Sequence, residues 1–387
     1  MPVVSVFIST YITTYAYMLL AVFLFGFIIF AGGFRRFNEM IYFIFPFALY
    51  VLCTFFTKTD SILLWGYQSL IFLLPVVLGY YYMYYKDEGM RLFSVILIVS
   101  LVITVITTII GLIRFPYAAR ILATTASSDD AEAIEYWWNN IGGYDFVYTC
   151  VLLYPILILS YKLGKINRIV FFIAFIALVT VVILSEYAAA LLLVIVSSVL
   201  FFAGKRLSPK QLFILGASLF LAMFLFWGLF EKLLLWLANV LNSDTLSERL
   251  TALAGGMTGL ENSESKRIDL YRMSLESFIK SPIFGNLFGK GYENGGHSFI
   301  LDSLANYGLL GGAVLLFSYR SIYRRFFKPF NENIGYGYVL WAFVQMIILS
   351  VVNTDMWLTV SAFFIPILLT TIYKSDYEEI YENSLDS

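Results

Sequence analysis

The sequence predicts an all-α, polytopic integral membrane protein with about eleven membrane-spanning helices (ten to twelve). Three observations predict it. The 387-residue chain is 60% hydrophobic and only 13% charged, whereas soluble domains are about 45–50% apolar and about 25% charged. Its mean hydropathy is +0.82. Its apolar residues gather into runs of about 20, the length that a hydrocarbon core of about 30 Å demands of a helix. With a net charge of −1, no nucleic-acid partner is expected. The whole of 1–387 reads as one membrane domain.

The first six candidate spans are 12–33, 39–56, 62–85, 92–113, 145–162 and 168–184. The other five are 187–203, 211–234, 303–323, 335–352 and 356–373. The first lacks a basic leader and a small-residue cleavage site, so it reads as a retained span. The sixth and seventh nearly touch at "LSEYAAA", which predicts a tight helical hairpin. Cys53 and Cys150 each fall near a span and read as small core hydrophobes, not as a disulfide or metal pair.

Orientation follows from the basic residues, which favour cytoplasmic loops. Arg35/Arg36, Lys86/Arg91, Lys162/Lys165/Arg168, Lys205/Arg206/Lys210, Arg320/Arg324/Arg325/Lys328 and Lys374 all fall on one side when eleven spans alternate. That side then holds the acidic tail, 374–387, and most of the chain's 25 basic residues. The N-terminus lies outside.

Two polar segments are left, both extracytoplasmic: 114–144 and the long loop 235–302 between the eighth and ninth spans. In the first, a helix starts at Ser128–Asp130 and leads to Trp137 and Trp138. These indoles either stack on sugar rings or anchor at the lipid interface, where Trp is enriched. In the second, "SESKRIDLYRMSLESFIKSP" reads as a helix capped by Ser263 or Ser265 and ended by Pro282. Ile268, Tyr271, Leu275, Phe278 and Ile279 give it one apolar face. Arg267 and Arg272 lie elsewhere on the wheel. Arg272 has Asp269 and Glu276 at pairing distance along the helix, whereas Tyr271 occupies the i+4 position from Arg267. Arg267 is therefore freer to offer a forked guanidinium to phosphate oxygens.

Next comes "IFGNLFGKGYENGGHS", in which Gly285, Gly289, Gly291, Gly295 and Gly296 allow tight turns. It lacks the GK[ST] of a nucleotide-phosphate loop. "HSFILDSLANYG" then restarts a helix, with His297, the only histidine, at its N-terminal end. A helix start favours anions, and a neutral imidazole there can take a proton. The competing reading is a structural histidine capping the turn. Asp302 and Asn306, one helical turn apart, read either as site residues or as polar seams between helices. Glu186, at the outer tip of the short hairpin, either faces a cavity or is structural; charges in spans are costly. No metal site is readable: there is one His and no CxxC.

The stretch "SPIFGNLFGKGYENGGHSFILDSLANYGLLGG" resembles the signature of the bacterial O-antigen polymerase and O-antigen ligase family. The likeness rests on an upstream arginine (Arg267), Pro282–Gly285, His297–Leu301 and Gly308–Gly311, in that order. The signature covers about an eighth of the chain, and the topology is similar throughout. Two departures stand out. Ser185-Glu186-Tyr187 replaces an S-R-G element, and Asn306 stands where an acid is common.

The resemblance implies a glycosyltransferase of the bacterial cytoplasmic (inner) membrane, acting on its outer face without metal or nucleotide cofactor. A polymerase transfers a growing glycan from undecaprenyl diphosphate to a lipid-linked repeat unit, for a capsule, exopolysaccharide or O-antigen of the cell envelope. His297 would be catalytic. Arg267 would hold the diphosphate, with Arg249 or Arg272 assisting. Asp302, Asn306, Glu186, Trp137 and Trp138 would be candidates to touch substrate. Partners implied are the undecaprenyl-diphosphate-linked oligosaccharide as donor and acceptor, membrane lipid, a flippase and a chain-length regulator. The alternatives are a ligase-type glycan transferase, a lipid-linked oligosaccharide flippase and a structural subunit of an assembly complex.

Overall fold

A computed structural model describes residues 37–57, 73–81, 87–124, 131–203, 260–287, 293–330 and 337–373, with scattered positions between 208 and 239. The regular structure among them is helical throughout, and they contain no strand. The predicted first span, most of the eighth, Arg249 and the tail 374–387 lie outside the described residues. The chain clusters into two compact units.

The first unit holds 95–264 and 334–342 together with 1–10. Its described helices are α2 (Asp87–Arg114, from Val95 on), α3 (Ala118–Thr124), α4 (Ala131–Trp138), α5 (Tyr144–Lys162), α6 (Arg168–Leu184) and α7 (Ala188–Ala203). α2 is inside-out by the standards of a water-soluble helix. Val95, Val99, Val102, Ile106, Ile110 and Ile113 form an exposed aliphatic stripe, whereas Ser100, Thr104 and Thr108 are buried. Water would penalise that arrangement, but lipid rewards it. Its hydroxyls turn inward to find partners: Thr104 donates to the Ser100 carbonyl (2.8 Å), and Thr108 accepts the Gly142 N–H (2.7 Å). α6 is capped by Asn167, whose side chain accepts from the Val170 N–H. The hairpin expected at "LSEYAAA" is present, with α6 and α7 joined through 185–187.

The second unit holds 11–94, 265–333 and 343–387. It contains α1 (Phe37–Thr57), most of α8 (Leu260–Lys280), α9 (Phe299–Ile322), α10 (Tyr338–Val352, from Phe343 on) and α11 (Ile365–Ile372). A π-turn, Tyr323–Phe327, extends α9, and another, Thr359–Phe364, precedes α11. α1 packs on α9: the Tyr50 and Ser303 hydroxyls are hydrogen-bonded at 2.8 Å, and the Tyr50 ring meets Tyr307 edge-on at 5.4 Å.

Among the described residues, three helical stretches are long and apolar enough to cross a membrane: Ser94–Arg114, Tyr144–Lys162 and Phe299–Phe330. Five shorter apolar helices accompany them, from Ile44–Phe56 to Thr359–Ile372. Cys53 and Cys150 are buried, and neither is in a disulfide.

Candidate functional site

The second unit gathers the glycine-rich motif around one carboxylate. α8 begins at Leu260, so Ser263 and Ser265 lie inside it and neither caps it. Its buried line also differs from the expected apolar face. Leu275 and Ile279 are exposed, whereas Ser274, Ser277 and Ser281 are buried. Small side chains are needed there because another backbone runs close by. A Cβ on Gly295 would come within 2.0 Å of the Leu270 carbonyl oxygen.

Ser274 is the hinge of the arrangement. It accepts the Gly295 N–H at 2.9 Å and donates to Asp302 Oδ1 at 2.5 Å. Asp302 also accepts the Gly296 N–H (3.2 Å, Oδ1) and the Ser298 N–H (2.9 Å, Oδ2). A carboxylate suits this task, being acceptor-only with room for several donors. Buried Ser298 caps α9, accepting from the Leu301 N–H at 3.2 Å. His297, just before the cap, is exposed. The turn thus holds its backbone firmly and leaves the imidazole outward. Asn306 accepts from the Asn294 amide at 2.9 Å. Asp302 and Asn306 therefore both serve the turn.

The two outer halves of the signature lock together. α9 is broken at Gly308, whose φ of 63° and ψ of −159° are accessible essentially to glycine alone. The N–H groups of Leu309 and Leu310, displaced from their helical acceptors, donate to the carbonyls of Pro282 (2.7 Å) and Ile283 (3.3 Å). The Asn306 carbonyl in turn accepts the Asn286 N–H at 2.8 Å. An irregular backbone inside an apolar helix needs such partners. Gly285, at φ +58°, lets the turn approach, since a Cβ there would lie 2.6 Å from the Ala305 carbonyl oxygen.

The arginines separate. Arg272 is exposed and forms a 2.9 Å ion pair with Glu276, one of the two partners its spacing offered. At about 100° per residue, Arg267 lies within about 20° of Ser274 and about 40° of Tyr271 on α8, whereas Arg272 is about 140° away. Arg267 thus shares the helical stripe that meets the glycine turn, about two turns from Ser274. Arg249 lies outside the described residues.

Glu186, Trp137 and Trp138 belong to the first unit. Glu186 is buried with φ +59°, a left-handed conformation uncommon for a non-glycine residue. Its neighbour Tyr187 donates to the Ala119 carbonyl (2.6 Å) and joins a ring cluster with Tyr144 and Tyr148. Trp137 is half-buried and Trp138 is exposed.

Sequence reading missed a third segment. The loop after α10, "NTDMW", reaches the same turn. The Asn353 carbonyl accepts the Phe299 N–H at 2.7 Å, and the Val352 carbonyl accepts from the Tyr271 hydroxyl at 3.3 Å. Only the positive φ of Trp357 (57°) marks this loop as unusual, and no sequence pattern signals it. Among the described residues, no three His, Cys, Asp or Glu side chains gather as a metal site.

Comparison with protein-family models, with curated proteins and with solved structures finds no match to this chain.

Proposed function

We propose that the protein is a polysaccharide polymerase of the bacterial cytoplasmic membrane, similar to the O-antigen polymerase and ligase family. On this reading about eleven spans alternate, the segment 235–302 lies outside, and the donor is a glycan on undecaprenyl diphosphate. One observation carries it: the ordered motif elements interlock around Ser274 and Asp302, on the α8 stripe that also bears Arg267. The inside-out α2 adds that the surroundings are lipid.

In the reaction, the acceptor hydroxyl attacks the anomeric carbon of the donor glycan. The bond from that carbon to the diphosphate oxygen breaks, and its electron pair leaves with the diphosphate. His297 takes the hydroxyl proton. Arg267 stabilises the charge growing on the leaving group.

The test is a strain lacking the gene, complemented with wild type, His297→Ala or Arg267→Ala. The reading expects normal membrane levels and an accumulation of single lipid-linked repeats with either variant. Wild-type glycan ladders from both would overturn the site assignment. Finished chains held on undecaprenyl diphosphate would favour the ligase, and repeats trapped on the cytoplasmic side the flippase.

A further inference from the structure

Three separate segments of the second unit end at the His297 turn: α8 around Tyr271–Ser274, the turn 293–302 itself, and the loop 353–357. The first two carry the site described above. The third has no part in it so far, yet it carries two polar side chains of complementary chemistry.

Asn353 is 6% exposed. Its main chain is fully used, donating to Leu349 and accepting from Phe299. Its side-chain Nδ2 is buried and meets no acceptor among the described residues. Such a donor is costly to bury and calls for an explanation. Two residues on, Asp355 is exposed, and its Oδ1 accepts the Trp357 N–H at 3.2 Å. A carboxylate has room for about four donors. Trp357 holds its left-handed φ of 57° while 2% exposed, so the loop is fixed in place by a buried anchor.

We infer that the Asn353–Asp355 loop is a sugar-recognition element, with the Asn353 amide donating to, and the Asp355 carboxylate accepting from, hydroxyls of the acceptor repeat unit. A sugar hydroxyl is both donor and acceptor, so a fixed amide and carboxylate two residues apart suit a polyol. A diphosphate would be repelled by the carboxylate. This inference rests on the polymerase reading and assigns the acceptor to a wall of the site opposite in chemistry to Arg267.

The experiment measures binding of the purified full-length protein, in nanodiscs, to the single lipid-linked repeat unit extracted from the deletion strain. Wild type, Asn353→Ala and Asp355→Asn are compared. The Asn353 change spares the main-chain bond to Phe299, and the Asp355 change keeps an acceptor for Trp357. Each loop variant is expected to weaken binding by about tenfold, the loss of roughly one or two hydrogen bonds. Equal binding by wild type and both loop variants would overturn the inference and leave the polymerase reading standing. No binding by wild type would overturn the polymerase reading, and this inference with it.

Discussion

Ser274 and Asp302, 28 residues apart in the chain, share a hydrogen bond that ties α8 to the start of α9. The same serine hydroxyl holds the Gly295 N–H, and the same carboxylate holds Gly296 and Ser298. One side-chain pair therefore fixes the whole approach to His297.

Removing either member should loosen that approach. Ser274→Ala strands the Gly295 N–H and one Asp302 bond, a loss of about 1–3 kcal/mol. Asp302→Asn turns one acceptor oxygen into a donor amide facing N–H groups, at a similar cost. Thermal unfolding in detergent should show both destabilised, with Asp302→Ala the worst. Unchanged unfolding in all three would mean that the network is not formed.

The adjacent glycines 295 and 296 should behave differently. A Cβ on Gly295 collides with the α8 backbone, whereas one on Gly296 meets nothing within 4 Å. Gly296→Ala should cost only the left-handed φ of 67°, about 1–2 kcal/mol. Gly295→Ala and Gly308→Ala should cost clearly more, since a Cβ on Gly308 would lie 2.3 Å from the Ile283 carbonyl oxygen. Expression yield and unfolding temperature check the order, which reverses if the turn is packed otherwise.

Arg272→Ala should be nearly silent. Its pair with Glu276 is exposed, with side-chain exposures of 72% and 51%, and such helical pairs contribute about 0.3–0.5 kcal/mol. Chain elongation should persist in Arg272→Ala and stop in Arg267→Ala. Equal loss in both would argue that the charge of α8, and no single guanidinium, serves the substrate.

The helices were legible because lipid leaves little choice: long apolar runs must satisfy their own backbone. Eight described helices fall on predicted spans: α1, α2, α5, α6, α7, α9, α10 and α11. Within the site, periodicity singled out Leu275 and Ile279 as a packing face, but the contact went to Ser274 and Ser277. Hydrophobic spacing cannot register a seam whose requirement is smallness, set by a glycine backbone about 20 residues away. The separate motifs around Pro282 and Gly308 were visible. Their mutual lock was not, since it consists of main-chain bonds between distant residues. Asn353 gave no signal at all, because its importance comes from a carbonyl that any residue supplies and from burial that only the fold creates.

The most direct measurement is polymerisation by purified protein given lipid-linked repeat units alone. The account predicts that wild type lengthens the glycan and that His297→Ala, though it binds the repeat, forms no glycosidic bond. Elongation by His297→Ala at the wild-type rate would contradict it.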